Sequence, residues 1–125
     1  MTRVSVKRAY DDPESEDGYR VLIDRVWPRG RSRESLQLDE QAPQLAPSVE
    51  LRKWFSHDPK HWTEFQARYK QELQAESMQA RMKDLLAASH GRHITLVYGA
   101  KDVVHNHAVI LRDALLRLSD IDGKS

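Results

Sequence analysis

Val4 and Val6 alternate with polar neighbours, which predicts a half-buried strand over residues 3–8. Residues 11–18 (DDPESEDG) are acidic and hold Pro13 and Gly18. They predict a solvated turn or loop, with a hairpin connection as one form. Residues 19–27 (YRVLIDRVW) are rich in β-branched and aromatic side chains. Their unbroken Val21-Leu22-Ile23 core predicts a strand covered on both faces. That run stops at Pro28-Arg29-Gly30, because proline cannot donate to a ladder and glycine permits a sharp turn. Residues 94–99 (ITLVYG) carry the clearest strand pattern: short, β-branched and apolar.

Between and after these runs the pattern turns helical. Ser32 is a candidate cap for a short helical turn, and the alternation of Leu36 and Leu38 allows a brief extended piece. The stretch QAPQLAPS, with Pro43 and Pro47, reads as an ordered loop. Ser48 predicts the cap of a short helix, VELRKWFS, with Glu50 in its favourable first turn. Asp58-Pro59 is a second start, a capping residue followed by proline at the first helical position. Trp62, Phe65, Tyr69 and Leu73 follow on one helical stripe. Another helix is predicted over 77–89, with Met78, Met82 and Leu85 inward and Gly91 past its end. A last helix is predicted from about 103 to 118, its stripe made of Val104, Ala108, Leu111, Leu115 and Leu118. Residues 119–125 are predicted to fray.

Together these elements predict one α/β domain over residues 1–118. Its small, mostly parallel sheet has three or four strands with helices on both faces. Residues 94–98 pair in parallel with 19–26 through a right-handed helical crossover. An α+β arrangement is the alternative.

The 125 residues are 39% hydrophobic and 31% charged, which excludes wholesale disorder. Lys+Arg total 20 and Asp+Glu 19, a formal net charge of +1, so binding to nucleic acid or membrane would need a local patch. The chain has no cysteine, which excludes disulfides, thiolate metal sites, iron–sulfur clusters and cysteine nucleophiles. No apolar run approaches the ~18 residues that span a bilayer, and the first ten residues hold no signal-peptide core. The expected setting is therefore cytoplasmic, with no membrane partner.

Candidate chemistry concentrates in two segments. In Asp24-Arg25-Val26-Trp27-Pro28-Arg29-Gly30-Arg31-Ser32-Arg33, four arginines lie within nine residues at the predicted carboxyl end of a strand. Ligands of open α/β sheets bind at such ends. The planar guanidinium suits phosphate or carboxylate, and Trp27 offers a stacking face. The plainer reading is a solvated loop whose arginines pair with Asp12, Glu14 and Glu34. The second segment is TLVYGAKDVVHNHAVIL (95–111), an apolar strand running through Gly99-Ala100-Lys101-Asp102 into a helix. Two readings stand side by side there: an anion cradle from free helix-start N–H groups with Lys101, or a tight turn with Asp102 as the helix cap. Only one glycine is present and no GK[ST], so this is not a Walker A loop.

The six histidines do not predict a metal site. His57 and His61 straddle the Asp58-Pro59 helix start, His105 and His107 point to different helix faces, and there is no HExxH. Ser56-His57-Asp58 places triad residue types side by side, where neighbouring side chains point apart. Acid/base work would fall to Asp24, Asp102 or His105, the last in a first helical turn beside Lys101. The aromatics Trp54, Phe55, Trp62, Phe65 and Tyr69 read as core.

Three stretches carry a resemblance: DGYRVLIDRVWPRGRS (17–32), LAPSVELRKWFSHDPKHWTEFQARYKQEL (45–73) and TLVYGAKDVVHNHAVIL (95–111). In order and spacing the chain resembles the YeaO-like branch of the domain-of-unknown-function 488 family. The resemblance implies a small, mostly cytoplasmic bacterial α/β domain and no assigned function. Other branches carry a motif similar to DxRxxPxSR, against Asp24-Arg25-Val26-Trp27-Pro28-Arg29-Gly30-Arg31 here, with glycine in place of serine. They also carry a cysteine after the later strand and Cys-His-Arg near the next helix. This chain has Gly99 or Ala100 and His105-Asn106-His107 there, which removes thiol chemistry.

The expected function is binding of an anionic small molecule, a nucleotide or phosphorylated metabolite, at the C-terminal strand ends. Arg25, Trp27, Arg29, Lys101 and Asn106 are the expected ligand contacts, and no cofactor or metal is expected. The alternative is a non-catalytic module that holds nucleic acid or a protein partner through the Arg-rich 25–33 segment. It ranks second because no helix-turn-helix, zinc-finger or RNA-recognition signature is present.

Overall fold

The computed structural model describes residues 2–56 and 58–123, with side chains through Asp120. Its strands are β1 (Val4–Arg8), β2 (Tyr19–Leu22), β3 (Glu40–Gln41) and β4 (Ile94–Tyr98). Its helices are α1 (Arg33–Leu36), α2 (Val49–Phe55), α3 (Trp62–Glu72), α4 (Glu76–Ala88) and α5 (His107–Gly123). The strands form one sheet in the order β1-β4-β2-β3, parallel throughout, so the α/β reading holds. Residues 94–98 indeed run parallel to β2, with Ile94 opposite Tyr19 and Val97 opposite Leu22.

The position of β4 follows from its composition. All five of its residues are buried, as a strand flanked by two neighbours and covered on both faces requires. Alternation then sorts its side chains. Ile94, Leu96 and Tyr98 join Val4 and Val21 in the main cluster, which takes in Phe65 and Tyr69 of α3, Met82 and Leu85 of α4, and Leu111 and Leu115 of α5. Val97 faces the other way and meets Leu22, Ala9 and Leu36 of α1, with Trp27 and Leu38 packed on them. Helices therefore lie on both faces, four on one and the single turn of α1 on the other.

The second face also buries charge. Arg20 is 3% exposed and Asp17 7%. Arg20 Nη1 donates to Asp17 Oδ2 at 2.7 Å, and Lys7 Nζ donates to Asp17 Oδ1 at 3.1 Å and to Glu14 at 2.8 Å. This network fastens residues 14–17 across the sheet.

Three expectations change. The acidic 11–18 segment is not a hairpin, because β4 lies between β1 and β2 and parallel strands need a crossover. The strand expected over 19–27 pairs only as far as Leu22, with one more ladder bond from Ile23 N–H to Val97 O at 3.1 Å. Beyond it, the Asp24 side chain takes the Gly99 N–H at 2.8 Å, and the backbone bends away. The last helix starts at His107 rather than near 103. The Asp102 carboxylate gathers the N–H groups of Val104 and His105, each at 2.9 Å, and holds them in a turn. Asn106 then caps α5, its Oδ1 accepting from Val109 N–H at 3.3 Å. The helix continues past Leu118 to Gly123.

Candidate functional site

A cavity of about 260 Å³ opens at the carboxyl ends of β2 and β4. Asp24, Arg25, Arg52, Gly99, Asn106 and His107 line its polar side, and Ala46, Pro47, Phe55 and Phe65 its apolar side. Larger concavities lie elsewhere, one of about 400 Å³ between α3, α4 and α5. The strand-end cavity is the one lined by Asp24, Arg25 and Asn106 at the carboxyl ends of two neighbouring parallel strands.

Each wall has a local cause. Phe55 ends α2 and stacks on Phe65 of α3 at 4.3 Å between centroids. Pro47 is held because Tyr69, fully buried, donates its hydroxyl to Leu45 O at 2.5 Å. Glu72 adds a second clamp, accepting from Ser48 N–H at 2.8 Å and Ser48 Oγ at 2.6 Å. Burial pushes the Tyr69 hydroxyl well above its ordinary range, with Glu72 and Asp24 adding to the effect, so it remains a donor.

Asp24 joins three elements. Its Oδ2 accepts the Gly99 N–H at 2.8 Å, and its Oδ1 lies 3.2 Å from His107 Nε2. That nitrogen points its N–H at Ile23 O, 3.0 Å away, which leaves Asp24 Oδ1 buried without a hydrogen bond among the described residues. Because a carbonyl can only accept, Nε2 carries a proton. Gly99 leaves room for this arrangement: a Cβ there would stand 3.1 Å from Asp24 Oδ2.

Arg25 is exposed at the mouth, its Nε donating to Pro47 O at 3.0 Å. Its η nitrogens bond no other described residue, and neither does the Arg52 guanidinium. Among the described residues none of Arg25, Arg29, Arg31 and Arg33 forms a salt bridge, so the expected pairing with Asp12, Glu14 and Glu34 is absent.

Of the sequence-derived residues, Asp24, Arg25 and Asn106 line this cavity. Trp27 does not: its ring packs with the Leu22–Leu36 cluster on the second face, and its Nε1 donates to Arg31 O at 2.5 Å. Arg29 is exposed outside the cavity, its carbonyl accepting from Tyr10 at 3.0 Å. Lys101 is exposed and lines no wall. Asp102 and His105 pair with each other at 2.9 Å, outside the cavity lining, and the His105 ring meets Trp62 edge-on at 5.2 Å. Hydrogen bonds from the backbone of His105 and Val104, then the His105 ring, hold Asp102 down at about 2. His105 precedes α5 rather than lying in its first turn.

Arg52 and His107 are the cavity groups that the pattern left out. Arg52 lies in the predicted VELRKWFS helix with no role attached, and His107 enters the sequence reading among histidines that do not predict a metal site. The one available signal is the place of His107 in TLVYGAKDVVHNHAVIL, shortly after a predicted strand end. His57 lies outside the described residues, and among those described no three His, Cys, Asp or Glu gather around one metal position.

A family model described as the inactive DUF488-N3 subclade matches residues 3–123. The chain belongs to this family. Uncharacterized protein YeaO of Escherichia coli strain K12 is 40% identical over 116 residues, 92% of this chain and 98% of the relative. Uncharacterized protein Rv3073c of Mycobacterium tuberculosis strain H37Rv is 37% identical over 114 residues, 91% of this chain and 94% of the relative. No solved structure matches. No helix among the described residues is long and apolar enough to cross a membrane.

Proposed function

We propose that the chain binds a small anionic ligand, a nucleotide or phosphorylated metabolite, in the strand-end cavity and does so without turning it over. The observation that carries this reading is the pair Arg25 and Arg52. Two guanidiniums from a strand-end loop and from α2 line one cavity, and neither is neutralised by an acidic side chain among the described residues. Planar forks of this kind suit phosphate oxygens. The location agrees with the general rule for parallel sheets. Binding without turnover is supported by the engagement of the acid/base candidates. Asp102 and His105 are spent on each other and on a turn, Asp24 is tied to Gly99 and His107, and the family description reads inactive. A cytoplasmic setting is part of this proposal.

The nucleic-acid alternative finds less support. Trp27 packs against the Leu22–Leu36 cluster, and Arg31 folds back to Ser35 O at 3.3 Å. Thermal-shift titration with inorganic phosphate and nucleoside monophosphates tests the main reading. A ligand at about a hundredfold its Kd adds about 2.7 kcal/mol, a shift of roughly 10 °C for a chain of this size. The shift should vanish in R25A/R52A. A shift that survives in that variant would place the anion elsewhere.

A further inference from the structure

We infer that the ligand of this cavity is a phosphate monoester that also carries a hydroxyl donor, and that Asp24 reads the hydroxyl. This rests on the anionic-ligand reading above and extends it. A purely anionic ligand is not what the walls match, because a carboxylate stands in the same cavity as Arg25 and Arg52. Its repulsion works against a bare phosphate unless something on the ligand donates to it. Asp24 has acceptor capacity to spare. A carboxylate offers about four lone-pair sites. Here one hydrogen bond, from Gly99 N–H, is made, and the nearby His107 N–H is directed at Ile23 O instead. The Asp24 side chain is one-fifth exposed (20%), and because Oδ1 is closed off, the hydroxyl would meet Oδ2, which has lone-pair capacity left after the Gly99 bond.

Asp24 is also fixed in place. The Gly99 amide holds one oxygen and the His107 ring stands 3.2 Å from the other, and a rigid acceptor discriminates better than a mobile one because its position does not follow the ligand. A site that presents a polar group rejects an analogue lacking the matching donor, since binding then leaves the group unpaired. Size narrows the class further. The volume of about 260 Å³ falls just under the ~300–1,000 Å³ of sites that hold drug-sized ligands. That admits a phosphate with a few carbons and hydroxyls, the carbons lying against Pro47, Phe55 and Phe65, and it leaves a dinucleotide overhanging. The phosphate would sit between the two guanidiniums and the hydroxyl would face Asp24.

The test is a matched pair of ligands on the wild-type chain, measured by calorimetric titration. Glycerol 3-phosphate and propyl phosphate share a three-carbon ester, and only the first carries hydroxyls. The expected result is that glycerol 3-phosphate binds about tenfold more tightly or better, the usual worth of a hydrogen bond to a charged acceptor. In D24N, with folding confirmed by circular dichroism, the two should come within a few-fold of each other. Equal or tighter binding of propyl phosphate to the wild type would overturn the hydroxyl inference and leave the anionic-ligand reading standing. Failure of both esters and of inorganic phosphate to bind would overturn both readings.

Discussion

The Gly99 N–H donates to Asp24 Oδ2 at 2.8 Å, and this single bond joins the ends of two neighbouring parallel strands. It replaces the next step of the β-ladder with a side chain, which is why pairing stops at Leu22 and a cavity begins. Removing the acceptor should therefore cost stability as well as binding. Asp24→Ala leaves the Gly99 amide without its partner, at about 1–3 kcal/mol. Asp24→Asn keeps an acceptor oxygen and should cost less than half as much. Urea denaturation of the two variants measures the difference.

Tyr69 supports the site from below. Tyr69→Phe strands Leu45 O in a buried position and should lower stability by about 1–3 kcal/mol. It should also loosen the Pro47 wall and weaken phosphate binding, although residue 69 lines no part of the cavity. Ultraviolet titration of the folded chain gives a companion reading. Tyr69, raised well above 10 by burial, and Tyr19, pushed up to about 12 by burial and then by Glu40, should both remain protonated at about pH 11.

The charged network on the second face predicts an acid limb. Burial alone would raise the Asp17 carboxyl. The Glu14 N–H, Lys7 and Arg20 outweigh it and hold Asp17 below 3.8. A carboxyl lowered by folding contributes stability that is complete above its unfolded value and lost as pH falls through the folded value. Stability of the wild type should thus decline below about pH 4, and Asp17→Asn should flatten that decline. Because Arg20 is buried, Asp17→Ala at neutral pH should cost about 3 kcal/mol or more. Chemical denaturation across pH tests both.

Asp102 behaves differently because it is solvent-facing. It should titrate near 2, the effect of bonds from the His105 and Val104 amides and then the His105 ring. Its lowered value again means support that fades only as pH falls toward about 2. Asp102→Ala should speed hydrogen exchange at the Val104 and His105 amides and leave global stability nearly unchanged, which amide exchange by NMR distinguishes from a core defect.

Much of the fold was legible because periodicity reports burial directly. Ile94–Tyr98 shows as apolar throughout because it is covered on both faces, and the Trp62–Leu73 stripe shows because α3 buries one side. Capping chemistry was equally readable at Ser32 and Ser48, whose hydroxyls accept from Ser35 and Leu51 N–H at 3.1 and 3.2 Å. What failed were boundaries decided by side chains reaching the backbone: Asp24 ended β2 and Asp102 delayed α5. β3 was invisible, since two residues carry no period. Half of the site was legible in Asp24, Arg25 and Asn106. Arg52 and His107 were not, because their meeting with Asp24 is made by tertiary packing across more than one element.

Anion binding in the cavity depends on Arg25 and Arg52 acting together. Amide NMR of the chain titrated with inorganic phosphate tests that most directly. The predicted result is a common saturation curve for Gly99, Ala100, Asn106 and His107, abolished by Arg25→Ala and by Arg52→Ala. Shifts confined to the surroundings of Arg29, Arg33 and Lys101, or shifts unchanged by either substitution, would contradict it.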